Sequence, residues 1–147
     1  DLPMNSRPSN DKTAMQLLAK MFEVEMAYMA STDKDASILA QAFHPDVVVR
    51  EPRSLPYAGD WQGYDGLQAL FRLMSDAWSD MQVLGMTAAR ENDKVFMTCT
   101  LRLTVRANGR IIEQPFAEAL TFRDGLVADA TPFYHDTHAI VASLQGV

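Results

Sequence analysis

The spacing of apolar residues changes once along this chain, and that change limits the folds available to it. Up to about residue 78, apolar side chains recur every three or four positions, as they do on one face of a helix. From Met81 onward they alternate with polar side chains, which is typical of strands that bury one face. Helices followed by strands predict an α+β domain in which the helices cover one face of a sheet.

The N-terminal half predicts three helices and one strand. Thr13 and Gln16 match a capping box and begin the first helix, which runs to about Met29. The second helix spans 35–43, the strand 46–51 and the third helix 64–78. Proline residues after the second helix and after the strand end both elements.

The C-terminal half predicts an antiparallel meander of four strands. They lie at about 80–91, 94–106, 110–123 and 126–135. Asn92-Asp93, Asn108-Gly109 and Asp124-Gly125 supply the turns between them. We expect residues 1–12 to form a flexible arm and residues 13–147 to form one domain.

Composition argues against several classes of partner. Thirteen Lys and Arg against nineteen Asp and Glu give a net charge of −6, which repels nucleic acid and anionic lipid. No apolar run approaches the length of a membrane span, and the single cysteine allows no intramolecular disulfide. We therefore expect a cytoplasmic protein without a nucleic-acid or membrane partner.

Two glutamates stand out because they share strand faces with apolar residues. Glu118 alternates with Phe116 and Leu120, and Glu51 alternates with Val49. A carboxyl group buried in such a row is either neutral or paired with a cation. Glu118 could pair with Arg102 or Arg106, and Glu51 with Arg50 or Arg53; otherwise both are candidates for acid/base chemistry.

Aromatic and methionine side chains predict an apolar pocket for a small apolar or aromatic ligand. The candidate lining residues are Tyr57, Trp61, Trp78, Phe116, Phe133 and Tyr134. His135 could contact the ligand at the pocket mouth, while Asp136 or Thr137 could cap a helix. His135 and His138 are poorly spaced for a metal on a strand, so we expect no metal and no cofactor.

The element order, together with the loop at 55–66 (LPYAGDWQGYDG) and the following LQALF, resembles the nuclear transport factor 2-like superfamily and its SnoaL-like branch. The resemblance implies a cone-shaped domain with three N-terminal helices packed on a curled antiparallel sheet. Glu51-Pro52, and Glu118 four residues before Phe122, are similar to the acidic positions of ketosteroid isomerases. The resemblance implies that Glu51 is the base, and that a protonated Glu118, with Tyr28 from the first helix, stabilises an oxyanion.

Two classes of function follow as expectations. The first is a cofactor-free isomerase, cyclase or dehydratase acting on a small apolar carbonyl compound; an epoxide hydrolase is a weaker variant because its Asp-Arg-Asp arrangement is not evident. The second is a non-catalytic ligand-binding or accessory module of the same fold. We also expect a homodimer through the outer face of the sheet, where Thr98, Thr100 and Thr104 lie.

Overall fold

The computed structural model describes residues 10–145, so most of the predicted arm at 1–12 lies outside the described residues. The helices are α1 (Ala14–Ala30), α2 (Ala36–Leu39), α3 (Gly63–Ala77) and α4 (Thr137–Leu144). The strands are β1 (Phe43–Glu51), β2 (Gly59–Gln62), β3 (Trp78–Glu91), β4 (Lys94–Val105), β5 (Ile111–Arg123) and β6 (Leu126–Tyr134). The predicted order of helices and strands is therefore present, with β2 and α4 in addition.

The strands form one sheet in the order β2-β1-β6-β5-β4-β3. The predicted meander β3 to β6 is antiparallel throughout, with the registers Met97 opposite Glu118 and Glu118 opposite Pro132. The expectation of a wholly antiparallel sheet is wrong at one point, since β1 pairs in parallel with β6. Parallel neighbours need a long connection, and α3 with β3 to β5 supplies it.

The two elements that sequence periodicity did not reveal are short. β2 has four residues and depends on its antiparallel pairing with β1, where Trp61 lies opposite Val49. α4 has eight residues and begins after Asp136, whose side-chain Oδ1 accepts a hydrogen bond from the Ala139 amide at 3.1 Å. The Gln114 side chain on β5 accepts a hydrogen bond from the Asp136 amide and donates one to the Asp136 carbonyl. These two hydrogen bonds fix the start of this helix.

The first helix begins as predicted. The Thr13 hydroxyl accepts from the Gln16 amide at 3.1 Å, and the Gln16 side chain accepts from the Thr13 amide at 2.8 Å. The buried stripe of α1 consists of Ala14, Leu17, Leu18, Met21, Val24 and Tyr28. This stripe faces the inner surface of the sheet and closes one side of the core.

The hydrophobic core lies between the helices and the inner face of the sheet. On β4 every second side chain is buried, namely Val95, Met97, Cys99, Leu101, Leu103 and Val105. Helix α3 approaches β2 closely, because a Cβ at Gly66 would lie 2.9 Å from the backbone carbon of Trp61. The inner face of the central strands carries Glu51, Glu118 and Tyr134, and α1 and α3 cover them.

Candidate active site

A cavity of about 70 Å³ lies between α1, α3 and the inner face of the sheet. Three carboxylic side chains line it: Glu25 from α1, Glu51 from the end of β1 and Glu118 from β5. The aromatic residues that line it are Phe22, Phe43, Phe71, Phe116 and Tyr134. Lys, Arg and His are absent from the lining within the described part of the chain, so the cavity combines acidic groups with an apolar wall.

Glu51 is the least exposed acidic residue that the structure describes, with 7% of its surface exposed. Its Oε2 atom is buried and has no hydrogen-bond partner among residues 10–145. Burial, and secondly the nearby Glu118, raise the pKa of Glu51 to about 8. Arg50 points to the opposite face of β1 and pairs there with Asp60 at 3.2 Å and Asp129 at 2.9 Å. The alternative of a surface ion pair with Arg50 or Arg53 is therefore wrong, because Glu51 is buried and pairs with neither arginine within residues 10–145.

Glu118 also lacks the arginine partner that the sequence allowed. Arg102 pairs with Glu113 at 3.6 Å, and Arg106 donates to the backbone carbonyls of Ser75 and Trp78. Burial raises the pKa of Glu118 to about 7. The Glu118 carboxyl group therefore titrates near neutral pH, inside the cavity that it shares with Glu51.

Glu25 was missed from the sequence, although a signal for it exists. It falls on the apolar stripe of α1, four residues after Met21 and three after Phe22, where an acidic side chain is unusual. Burial first, then Glu118 and Glu51, raise the pKa of Glu25 well above its usual range. Burial and the two neighbouring carboxyl groups therefore favour the protonated form of this third carboxyl group.

A chain of hydrogen bonds orients the phenol at the cavity wall. The Trp78 indole donates to the Tyr57 hydroxyl at 3.1 Å, and the Tyr57 and Tyr134 hydroxyls are 2.8 Å apart. Burial raises the pKa of Tyr57 to about 12, and burial also raises the pKa of Tyr134 well above its usual value. Because Trp78 can only donate, the Tyr57 proton can point to Tyr134, which frees the Tyr134 proton for an acceptor in the cavity.

Of the other aromatic residues that the sequence predicted to line the pocket, one lies in the cavity wall and three lie behind it. Phe116 lines the cavity and meets the Tyr134 ring edge-on at 5.2 Å. Tyr57 and Trp78 are buried behind Tyr134, and the Trp61 indole donates to the Tyr57 carbonyl at 2.9 Å. These residues support the wall of the cavity and do not line it.

Tyr28 and His135 lie outside the cavity. Tyr28 packs on Phe71 with ring centres 5.9 Å apart and lines a separate surface depression with Lys34 between α1 and α3. His135 is exposed at the end of β6, beside a shallow depression on the outer face of the sheet. Phe133 also lies on that outer face and is 55% exposed.

No group of three or more His, Cys, Asp or Glu among residues 10–145 is placed to hold a metal ion. The three glutamates thus surround the cavity without converging on one point. Cys99 is buried, and burial followed by the charge of Glu118 raises the pKa of its thiol to about 11. The thiol is therefore un-ionised at neutral pH, and Cys99 is not among the residues that line the cavity.

Carboxyl groups in this environment can exchange protons with a bound molecule at neutral pH. A general base works best when its pKa lies near the operating pH, and the pKa values of about 7 and 8 meet that condition. Glu118 has the lower pKa, the reverse of the order that the expected base and donor roles require. Since the two groups interact, those values belong to the pair rather than to either residue alone.

The fold and this cavity define a class of protein: an α+β domain that encloses a small pocket with internal acid/base groups. The model of the SnoaL-like domain family matches residues 24–130, and the chain belongs to that family. No curated protein sequence matches the chain significantly. Within residues 10–145, every helix is too short or too polar to span a membrane.

Solved structures show the same nuclear transport factor 2-like fold. A nuclear transport factor 2-like protein of unknown function from Burkholderia pseudomallei aligns over 91% of this chain and 98% of its own, with 20% identity and a TM-score of 0.75. A protein from Jannaschia sp. CCS1, proposed to be a SnoaL-like polyketide cyclase, aligns over 94% and 99% with 13% identity and a TM-score of 0.73. A protein with a ketosteroid isomerase-like fold from Catenulispora acidiphila, in complex with trimethylamine, aligns over 86% and 92% with 13% identity and a TM-score of 0.66.

Proposed function

We propose that this protein is a cofactor-free acid/base catalyst that removes a proton next to the carbonyl group of a small compound. The observation that carries the proposal is the buried, unpartnered Oε2 of Glu51 in a cavity that Glu118 and the Tyr134 hydroxyl also line. An isomerisation, a cyclisation and a dehydration share this first step. The cavity volume of about 70 Å³ restricts the part of the substrate that enters it to a few non-hydrogen atoms.

In the proposed mechanism Glu51 accepts the proton from the carbon next to the carbonyl. Protonated Glu118 and Tyr134 donate hydrogen bonds to the oxygen, on which negative charge develops as the enolate forms. The resemblance implied that Tyr28 would donate this hydrogen bond. We assign that role to Tyr134 instead, because Tyr134 lines the cavity and Tyr28 lies in another depression. The raised pKa of Tyr134 keeps its proton available as a donor.

The pKa values of the two carboxyl groups permit this chemistry, although Glu118 has the lower one. The active form has Glu51 ionised and Glu118 protonated, and the pKa values of about 8 and 7 make it a minor but populated form at neutral pH. A carboxylate with a raised pKa is also the stronger base in the reaction. The epoxide hydrolase alternative finds less support, because neither Asp nor Arg lines the cavity within the described residues.

Exchange of carbon-bound protons in D₂O tests the proposed first step, whichever full reaction follows it. Small ketones and 1,3-dicarbonyl compounds would be incubated with the protein, and loss of the proton signal next to the carbonyl followed by NMR. We expect wild type to accelerate exchange and Glu51→Gln to abolish the acceleration while leaving affinity nearly unchanged. Glu23→Gln is a control for the loss of a carboxylate, since Glu23 is exposed on α1.

The order of the Glu118 variants adds a second criterion. Glu118→Gln keeps a hydrogen-bond donor and should lose less than Glu118→Leu, which we expect to slow exchange about 100-fold or more, as loss of one oxyanion donor does. Equal exchange in wild type, Glu51→Gln and both Glu118 variants would remove the catalytic role from these residues. The neighbour solved with trimethylamine would then favour the second candidate, a pocket that binds a small molecule without converting it.

We also infer a homodimer formed through the outer face of the sheet. Thr98, Ala117 and Phe133 are directly opposite one another on that face, and Leu84 lies on the adjoining strand. Phe96 and Phe133 are about half exposed, at 50% and 55%. Apolar side chains on a sheet surface are commonly covered by a partner, and a second copy supplies a self-complementary one.

A further inference from the structure

Glu25 is a partly buried acidic residue that lines the cavity and has no role in the proposed mechanism. It lies on α1, across the cavity from the strands that carry Glu51 and Glu118. None of the three carboxyl groups forms a hydrogen bond or an ion pair within residues 10–145. Glu51 is only 7% exposed, and its Oε2 atom has no hydrogen-bond partner in the described part of the chain. This oxygen can therefore accept a hydrogen bond from a molecule bound in the cavity.

Every element that borders the cavity contributes either acidic or uncharged groups. The titratable groups that face Glu25 are Glu51 on β1, Glu118 on β5 and Tyr134 on β6, with Tyr57 behind the last. Helix α3 and strand β3 contribute apolar side chains only: Leu70, Phe71, Met74, Met81 and Val83. Once ionised, the three carboxyl groups therefore favour positive charge in the cavity, and no cationic side chain of the wall opposes it within residues 10–145.

The wall fits an organic cation better than a metal ion. Five aromatic side chains line the cavity, and the faces of aromatic rings attract ammonium groups. The three carboxyl groups are not placed to coordinate one metal ion, as a compact hard cation would require. An alkylammonium group is larger than a metal ion and does not require several oxygen ligands at one point. Its N–H groups can contact carboxyl oxygens while its alkyl groups pack against the aromatic rings.

From this placement we infer that the cavity binds a protonated amine, and that Glu25 is the residue that holds its charge. The inference extends the proposed function, since it defines the substrate class as a small carbonyl compound that also carries a cationic nitrogen. Glu51 and Glu118 act at the carbonyl end and Glu25 fixes the ammonium end. A bound cation favours the ionised form of the carboxyl groups around it, so we expect protons to leave the protein when the amine binds.

Calorimetry with an isosteric pair of probes tests the inference directly. tert-Butylammonium and tert-butanol have the same shape, and only the first carries a charge. We expect the ammonium to bind at least about tenfold more tightly at pH 8, as a charge-assisted contact in a low-dielectric site does. The ammonium affinity should rise from pH 6 to pH 8.5, because the probe remains protonated over this range while the carboxyl groups lose their protons. Titrations in buffers of different ionisation enthalpy should show proton release.

Two variants make the test specific. Glu25→Gln should lower the ammonium affinity about tenfold or more and leave tert-butanol binding unchanged, whereas Glu23→Gln on the exposed side of α1 should change neither. Equal binding of the two probes, an unchanged Glu25→Gln variant, or displacement of the ammonium by millimolar Mg²⁺ or Ca²⁺ would each overturn the inference. Because the probes do not react, absence of proton exchange with carbonyl compounds would refute only the proposed catalysis.

Discussion

At the scale of single residues, burial determines what the acidic side chains do. Arg50 and Glu51 are adjacent in the sequence, but successive side chains of a strand point to opposite faces. Arg50 therefore forms two ion pairs on the surface, whereas Glu51 lines the cavity. Desolvation then raises the pKa of Glu51, and the like charge of Glu118 adds to it. The same carboxyl group at an exposed position would titrate near its usual value of 4.5.

This burial predicts a stability that falls with rising pH. The folded-state pKa of Glu51, about 8, exceeds the usual value of 4.5, so the folded state binds the proton more tightly than the unfolded state. The free energy of unfolding therefore decreases as pH rises from 4.5 to 8. We expect Glu51→Gln to be more stable than wild type at pH 9, by about 2 kcal/mol or more, and nearly equal at pH 5.

Urea unfolding at pH 5 and pH 9 measures that difference, and Glu23→Gln should follow the wild-type pH dependence because Glu23 is exposed. A Glu51→Gln variant less stable than wild type at pH 9 would show that the Glu51 carboxylate is stabilised in the folded protein. The unpartnered Oε2 would then require a different explanation.

At the scale of elements, short segments depend on caps and partners more than on periodicity. Helix α4 has eight residues, too few to be stable alone, and three contacts at Asp136 define its beginning. Its buried residue Ile140 then fixes the helix against the core. The helix follows directly after the strand that carries Tyr134, so its position also secures the end of that strand.

Substitution of the cap tests this dependence. Asp136→Ala removes the oxygen that accepts from the Ala139 amide and should lower the free energy of unfolding by about 1 kcal/mol. Asp136→Asn keeps an acceptor at the same position and should stay within a few tenths of a kcal/mol of wild type. Chemical denaturation of the three proteins gives the comparison, and equal losses in both variants would assign the effect to charge instead of to the cap.

At the scale of the whole molecule, the inner and outer faces of the sheet differ in what they bury and what they expose. The inner face holds the core and the cavity, while the outer face carries exposed Phe96 and Phe133. We expect wild type to sediment as a dimer at micromolar concentration. Thr98→Arg, which places two cations in the proposed interface, should shift it to monomer, and Thr32→Arg in the exposed loop after α1 should not. A wild-type protein that sediments as a monomer would refute the proposed dimer.

The sequence by itself determined the order of the first three helices, strand β1 and the four meander strands, the turns of the meander, and the inward direction of Glu51 and Glu118. These features depend on local periodicity, capping and turn chemistry, which act between residues close together in the chain. Only the tertiary structure decided the parallel pairing of β1 with β6, the position of Tyr28 outside the cavity, and the position of Glu25 opposite the two strand glutamates. Those outcomes depend on how α1 is rotated against the sheet and on which distant strands pair, and neither is encoded in the spacing of residues along one segment.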